Sequence, residues 1–161
     1  MFRNSNIHSD KKKMITQIII AWIWGHILEY VAHKYLLHNR HRFLFAFKNH
    51  FQKHHRAARK NQMYDSGYES IFSSRFEIQS LIVAGLIHLP ILFFFPFGYL
   101  TLLVSLVSYY LLHRKSHLDP EWSKKWMPWH YAHHMGPDQH KNWGVRLPII
   151  DLLMGTSDFK R

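Results

Sequence analysis

Three long apolar segments alternate with basic, histidine-rich segments along this chain. The apolar segments cover residues 14–38, 80–95 and 97–113. A membrane-spanning helix needs about 20 mostly apolar residues, which the first segment provides. The second and third segments are shorter, and Pro96 and Gly98 between them predict a turn. The pattern therefore predicts one apolar helix followed by a helical hairpin that enters the bilayer and returns. A buried hairpin in the core of a soluble protein is the alternative.

The polar remainder of the chain predicts loops and short helices. Residues 56–74 contain Gly67 and several serines, which is typical of a loop or surface segment. Beyond Arg114 the chain is polar and aromatic, and prolines divide it into short pieces. We therefore expect an all-α fold, in which an integral membrane hairpin and a further apolar helix are capped by a His-rich helical domain. The prolines are Pro120, Pro128, Pro137 and Pro148.

The composition narrows the class of protein. A length of 161 residues predicts a single domain over 1–161, with a basic amino-terminal tail at 1–13. The absence of cysteine excludes disulfides, thiolate zinc sites and iron–sulfur clusters. The net charge of +11 is typical of proteins that bind nucleic acid or an anionic membrane surface. A nucleic-acid binder would need a Lys/Arg stripe on a soluble fold. These charges flank apolar segments, so we expect a membrane and no nucleic acid.

Ten of the fifteen histidines form four short clusters, spaced HX4H, HX3HH, HX3H and HX2HH. A neutral imidazole is the commonest metal ligand among side chains. One ion needs about three or four protein ligands, so ten histidines suit two ions. The first and third clusters end apolar helices, and the others follow in basic segments. If the hairpin returns to its starting side, all four clusters meet on one face of the membrane. A histidine-rich surface that buffers metal ions is the alternative interpretation.

Helical geometry predicts which histidines point together. Residues four apart differ by only about 40° around a helix axis, so His113 and His117 can point the same way, as can His50 and His54. By the same rule, adjacent residues diverge by about 100°. The neighbouring histidines at 54–55 and 133–134 therefore suit two adjacent metals, or one metal and the groups around it.

His33 and His38 diverge by about 140° on a regular helix, which predicts a local distortion or separate metals. Glu29 precedes His33 by four residues. It could orient His33, or it could simply be a helical neighbour of Lys34.

Two negative findings exclude other metal proteins. The chain contains no Glu-x-x-His pair, which excludes a ferritin-like carboxylate-bridged bundle. It contains no His-Glu-x-x-His motif, so the hydrolytic zinc site of that type is absent. Three polar residues lie near the clusters, and we expect them to be turn or cap residues. They are Asp119, Asp138 and Asn142.

The five remaining histidines are His8, His26, His41, His88 and His140. Isolated histidines are more often hydrogen-bonded or surface groups than ligands. His140 lies close to the last cluster but outside its spacing. We therefore leave all five out of the expected ligand set.

The distribution of basic residues predicts the orientation in the membrane. Nine Lys/Arg lie within 34–75 and eight within 114–161, whereas four precede Met14. By the positive-inside rule the His-bearing face is cytoplasmic, in a bacterial inner membrane or the endoplasmic reticulum. If the first helix spans fully, the lysines at 11–13 lie on the opposite face. A first helix lying partly in the interface would avoid this conflict.

The order of the four clusters, with apolar helices before the first and third, resembles the fatty acid hydroxylase/sterol desaturase superfamily. The tail at 128–156, PWHYAHHMGPDQHKNWGVRLPIIDLLMGT, is similar to that family's ending. It contains a last histidine box, then Asn-aromatic-Gly, then an Asp and a Gly-Thr. The resemblance covers residues 29–156.

The resemblance implies an integral membrane oxidoreductase. Such an enzyme uses O2 and a non-haem di-iron centre to hydroxylate or desaturate a lipid, whether fatty acyl, sterol or isoprenoid/carotenoid. Imidazole sites also accept zinc, which can replace the two iron ions. The implied metal ligands are His33, His38, His50, His54, His55, His113, His117, His130, His133 and His134.

Some features depart from the family pattern. Members usually carry four membrane helices, while this chain has room for about three. The second cluster is HX3HH where many members have HX2HH. The additional residue separates His50, the first histidine of the cluster, from the position of the family's ligand. The sequence shows no cytochrome b5-like domain, so we expect an external electron donor: a cytochrome b5-like protein, a ferredoxin or a reductase. The alternative function is a non-catalytic membrane metal-binding or transport protein. That function would place ligands along a path through the bilayer.

Overall fold

The computed structural model describes residues 3–159, and that range contains helices and loops but no strand. This confirms the expected all-α class. The α-helices are α1 (Arg3–Val31), α2 (Leu44–Phe47), α3 (Arg56–Lys60), α4 (Arg75–Ile87), α5 (Pro96–Leu118), α6 (Pro120–Trp126), α7 (Pro128–Met135) and α8 (Ile149–Met154). Two π-helices (Ala32–Leu37 and Lys48–His55) and two 3-10 helices (Ser66–Tyr68 and Leu89–Phe93) complete the set.

Two of the helical stretches are long and apolar enough to cross a membrane. They are His8–Leu37, which joins α1 to the first π-helix, and Pro96–Leu118, which is α5. Helix α4 has 13 residues, which is too few to span a bilayer of ordinary thickness. The amino-terminal residues predicted as a tail belong to α1 from Arg3 onward, and Met1 and Phe2 lie outside the described residues.

The predicted hairpin consists of α4, the short 3-10 helix and α5. The chain reverses before Pro96, which is the first residue of α5 and not part of the turn. Proline fits this position because the first helical residue needs no amide hydrogen bond. Gly98 also lies in the first turn of α5, where a Cβ atom would overlap the ring of Phe95. The prediction that Pro96 and Gly98 form the turn is therefore wrong by a few residues.

The packing leaves apolar side chains on the outside and histidines on the inside. Helix α1 packs along α5, α4 contacts α5, and α8 returns to α1. The outward faces of α1, α4 and α5 expose large apolar side chains, such as Ile19, Ile87 and Val104. The largest fully buried side chains include seven histidines: His33, His55, His113, His117, His130, His133 and His134.

Candidate metal centre

The first π-helix brings together two histidines that a regular helix would separate. The amide of His38 donates to the carbonyl of His33 at 3.2 Å, which is a hydrogen bond across five residues. The wider turn returns His38 to the side of His33, and the ring centroids are 5.1 Å apart. The local distortion predicted from the HX4H spacing is confirmed.

The second π-helix changes the expected pairing in the HX3HH cluster. Nε2 of His50 lies 3.2 Å from Nε2 of His55, five residues later. A ring nitrogen of His54 lies instead among a different set of histidines. The prediction that His50 and His54 share a direction is therefore wrong, because it assumed 3.6 residues per turn.

Nine of the ten expected histidines form two groups, and within each group one nitrogen per residue lies within 4.8 Å of the others. All nine side chains are buried. We name the groups by their members. Group A contains His33, His38, His50, His55 and His133, and group B contains His54, His113, His117 and His134.

The two groups are neighbours because adjacent histidines divide between them. His54 belongs to group B and His55 to group A, while His133 belongs to group A and His134 to group B. The rings of His55 and His134 are 4.1 Å apart, centroid to centroid. This division is the one that the 100° divergence of adjacent residues suggested. It places two potential metal sites side by side.

His130 is the tenth expected ligand, and it lies beside group B rather than within it. Its Nε2 is 3.4 Å from Nε2 of His117. Its Nδ1 is buried and has no hydrogen-bond partner among the described residues.

Backbone carbonyls fix the proton positions of several imidazoles. Nδ1 of His33 lies 2.6 Å from the carbonyl oxygen of Trp143, and Nδ1 of His133 lies 2.6 Å from that of Lys141. A carbonyl oxygen only accepts, so both Nδ1 atoms carry the proton. In the neutral imidazole, Nε2 then holds a lone pair that faces the other histidines. The carbonyl of Met63 makes the same bond to Nδ1 of His117, at 2.8 Å.

In group B, two carboxylates accept the Nδ1 protons of histidines. Oδ2 of Asp65 accepts from Nδ1 of His54 at 2.8 Å, and Oε1 of Glu77 accepts from Nδ1 of His113 at 2.6 Å. The hydroxyl of Tyr68 donates to the other oxygen of Glu77 at 2.7 Å. Sequence reasoning missed both acids. Asp65 lies in the polar segment predicted to be a loop, and Glu77 lies in the first turn of α4, so no spacing connects either acid to its histidine.

Hydrogen bonds alone cannot satisfy all of the converging imidazole nitrogens. Nε2 of His55 lies 3.2 Å from Nε2 of each of His38, His50 and His133, and it carries at most one proton. Nε2 of His33 is 2.9 Å from Nε2 of His50, and Nε2 of His133 is 3.2 Å from Nε2 of His55. Since His33 and His133 present lone pairs, a cation among these nitrogens would stabilise the arrangement. In group B, Nε2 of His54 and both ring nitrogens of His134 are buried without a partner among the described residues. Each neutral ring has one acceptor nitrogen, and a buried acceptor without a partner suits a metal ion.

Burial keeps the histidines of the loop and short-helix region neutral. Desolvation lowers the pKa of His38 to about 2 and the pKa of His133 to about 3. Desolvation also lowers the pKa of His54, although the hydrogen bond to Asp65 opposes this. These imidazoles are therefore deprotonated at neutral pH, as metal ligands must be. Burial and neighbouring histidines also place the pKa well below its ordinary value for His50, His55, His130 and His134.

The carboxy-terminal motif of Asn-Trp-Gly, Asp and Gly-Thr forms the loop that supports His33. The carboxylate of Asp151 accepts the amides of Trp143 at 2.9 Å and Gly144 at 2.7 Å. The hydroxyl of Thr156 donates to the same carboxylate at 2.7 Å. Asn142 has a positive φ of 59°, which turns the chain just before Trp143. The motif thus positions the Trp143 carbonyl against Nδ1 of His33.

Glu29 plays neither role suggested by its spacing. Its Oε1 accepts the backbone amides of Val145 and Arg146, and its Oε2 accepts from Nε of Arg146 at 2.7 Å. Lys34 donates instead to the hydroxyl of Tyr30. Both interpretations of Glu29 are therefore wrong, because a long-range partner replaces the helical neighbours.

The other polar residues near the clusters are turn or cap residues, as expected. Asp119 accepts the amide of Trp122 as the N-cap of α6, and Asp138 accepts the amide of His140. Asn142 bonds the backbone of Asp158. The five histidines left out by their spacing lie outside both groups.

A cavity of about 960 Å³ lies between α1 and α4 and reaches both groups. Its size is in the upper part of the range for small-ligand sites, roughly 300–1,000 Å³. Most of its wall is apolar, with Leu28 and Leu106 among the contributors. Three histidines form its metal-facing end: His33 and His50 of group A and His54 of group B.

Comparisons with known proteins give one finding. A family profile described as "Fatty acid hydroxylase" matches residues 18–156. No curated protein and no solved structure matches the chain. The matched range contains all ten clustered histidines, the cavity and the carboxy-terminal loop. The chain therefore belongs to the fatty acid hydroxylase family, which implies lipid oxidation at a histidine-rich metal centre.

Proposed function

We propose that this protein is an integral membrane enzyme that uses O2 and two iron ions to oxidise a C–H bond of a lipid, by hydroxylation or desaturation. The observation that carries the proposal is the meeting of two buried histidine groups with one large, mostly apolar cavity. Acids, bases and nucleophiles do not attack an unactivated C–H bond, so the reaction needs cofactor chemistry. When bound, the di-iron centre supplies the activation of O2.

The ten clustered histidines are the proposed metal ligands. Group A would hold one ion and group B the other, with His130 as an additional ligand beside His117. The protein's own contribution is to orient these imidazoles. Asp65 and Glu77 hold the Nδ1 protons of His54 and His113, which directs both Nε2 lone pairs inward.

The cavity is the proposed substrate site. A lipid chain entering between α1 and α4 would pass apolar walls before it reached His33, His50 and His54. The apolar wall excludes water from the reacting carbon and aligns the chain. In a metal carrier, the alternative, ligands would follow a path through the bilayer. The two groups instead converge at the ends of the long helices, which supports the enzyme.

Membrane integration is supported by the outer surface. Apolar side chains such as Ile19, Leu86 and Val104 are half-exposed or more on the outer faces of the helices, where lipid would cover them. The excess of Lys/Arg near the histidine clusters supports a cytoplasmic face for the metal centre. We propose that residues 1–161 form a single membrane domain of this family.

The electron donor would be a separate protein. A second cavity, of about 720 Å³, reaches His55 and shares no lining residue with the lipid cavity. Its wall includes Arg56, Arg59 and Lys60, which would attract an acidic surface. Electrons could therefore arrive from this side while the lipid occupies the other.

The test is lipid analysis of a host with its own electron donor, grown with labelled O2. Wild-type protein should yield a new lipid. Oxygen from O2 in that lipid indicates hydroxylation, whereas a new double bond without label indicates desaturation. His54→Ala and His133→Ala should abolish the product while leaving the protein in the membrane, and the exposed His41→Ala should not. Identical lipid profiles for wild type and both ligand variants would contradict the proposed enzyme activity and support the alternative of a metal carrier.

A further inference from the structure

One charged side chain on the cavity wall has unused hydrogen-bond donors. Arg146 lines the cavity and is only 9% exposed. Its Nε donates to Oε2 of Glu29 at 2.7 Å, while Oε1 of Glu29 accepts the amides of Val145 and Arg146. The carboxylate thus accepts three bonds and balances the charge of the guanidinium.

The terminal nitrogens of Arg146 remain available. A guanidinium has five N–H donors, and Nε accounts for one of them. Within residues 3–159 neither Nη1 nor Nη2 has a hydrogen-bond acceptor, and neither belongs to the fully enclosed unpaired atoms, so both keep access to the cavity that Arg146 lines. Gly25 leaves room beside these atoms: a Cβ there would lie 3.3 Å from Nη2 and 2.9 Å from Oγ of Ser105. Charged donors that face a mostly apolar cavity gain from a hydrogen-bond acceptor within it, so this position suits an acceptor on the bound molecule.

The donors lie close to the metal-facing end of the cavity. Glu29, which holds Arg146, precedes His33 by one helical turn, or roughly 5–6 Å along α1. Glu29, His33 and Arg146 all line the same cavity. The neighbouring wall combines apolar side chains such as Leu28 and Leu106 with the hydroxyl groups of Ser105 and Tyr109.

We propose that Arg146 determines specificity by donating hydrogen bonds to a neutral oxygen acceptor of the lipid substrate. The substrate would therefore carry a hydroxyl or carbonyl group near the carbon that is oxidised, and would not be a plain hydrocarbon. A neutral group is favoured over a carboxylate because Glu29 already balances Arg146, and a second anion would leave unpaired charge in an apolar cavity. This inference rests on the proposed function for the identity of the cavity as the substrate site.

A purely structural role for Arg146 makes a different prediction. The loop that contains Val145 is attached to α1 by the backbone bonds to Glu29. Neither those backbone bonds nor the bond from Nε of Arg146 involves the terminal nitrogens Nη1 and Nη2. If Arg146 only secured this loop, lipids with and without an oxygen would bind alike.

The experiment measures binding without turnover. Zinc-loaded protein in detergent is titrated with 1-hexadecanol, methyl hexadecanoate, hexadecanoate or hexadecane, and apparent affinity is taken from the shift in thermal unfolding midpoint. One net hydrogen bond corresponds to about a fivefold difference in affinity. We expect the alcohol and the ester to bind about fivefold more tightly than hexadecane, with hexadecanoate weaker than the ester. Equal affinities of hexadecanol, the ester and hexadecane would overturn the proposal without any variant.

A pair of variants assigns the preference to Arg146. Glu29→Gln/Arg146→Met removes the donors without leaving an unpaired buried carboxylate, and Glu29→Gln alone is its matched control. The control should keep the preference for oxygenated lipids, and the double variant should lose it. A double variant that keeps the preference overturns the proposal, and if it fails to fold, the wild-type series still decides. A wild-type protein that oxidises lipid but shows no preference for oxygenated lipids contradicts only this inference. A wild-type protein that shows the preference but oxidises no lipid contradicts only the proposed function.

Discussion

The amide of Trp143 donates to the carboxylate of Asp151 at 2.9 Å, and the carbonyl of Trp143 receives Nδ1–H of His33 at 2.6 Å. One buried acid near the carboxy terminus thus determines how a histidine on the first long helix presents its lone pair. The relationship makes the loop after α7 part of the candidate metal centre, although no residue of the loop belongs to group A.

Replacing Asp151 with Ala should therefore affect both stability and metal binding. Two buried amides would lose their acceptor, which costs on the order of 3 kcal/mol of folding stability. We expect a lower thermal unfolding midpoint in detergent and weaker metal retention in group A. The control is Asp138→Ala, at an exposed turn. An unchanged midpoint for Asp151→Ala would contradict the support role.

Asp65→Asn should weaken metal binding without removing a ligand. The amide cannot hold the Nδ1 proton of His54 as a carboxylate does, and loss of such a partner typically lowers metal affinity by roughly 10–100-fold. Competition with a graded series of chelators measures this change. Asp119→Asn is the matched control, since Asn caps a helix as well as Asp does. Equal chelator resistance in both variants would contradict the role of Asp65.

The sequence predicted the composition of the site better than its geometry. Spacing and order identified the four histidine clusters, and the divergence of adjacent histidines gave their division between two groups as one of two alternatives. The grouping of His50 with His55 could not be predicted, because regular helical geometry contains no π-turn. The HX4H spacing did indicate that something irregular joins His33 to His38.

The partners of the imidazoles were beyond sequence reasoning. Asp65, Glu77 and the carbonyl of Met63 meet their histidines through tertiary packing, and one acid among ten carries no local signal of such a contact. Glu29 shows the converse, since its local spacing suggested partners that it does not have. Long-range hydrogen bonds depend on the arrangement of α1, α4 and α5, which periodicity alone does not determine.

The metal-free protein should lose stability as the pH falls. Burial lowers the pKa of His38 to about 2 and of His133 to about 3, against about 6.5 in the unfolded chain. The unfolded state therefore binds more protons below pH 6.5, and the stability present above that pH is lost as the pH falls toward 3. Each such histidine contributes up to about 1.4 kcal/mol per pH unit. Unfolding midpoints of chelator-treated protein at pH 8, 6 and 5 measure the slope. A flat profile would contradict the buried neutral cluster.

The membrane orientation makes a prediction that is independent of catalysis. The protein should resist extraction by carbonate and high salt, because α1 and α5 present apolar faces to lipid. A reporter fused after Arg161, which lies outside the described residues, should be active only if it works in the cytoplasm. Extraction by carbonate would contradict membrane integration, and activity of an external-side reporter alone would contradict the orientation.

The number of metal ions per chain tests the central claim most directly, because the proposed dimetal centre requires two ions. Protein purified anaerobically from iron-replete cells should contain two irons, or two zincs, per chain by mass spectrometry. His133→Ala and His134→Ala alter adjacent positions in different groups, so each should lose about one ion, from group A and group B respectively. Wild-type protein with metal at background, or ligand variants with the same metal content as wild type, would contradict a dimetal centre built from these histidines.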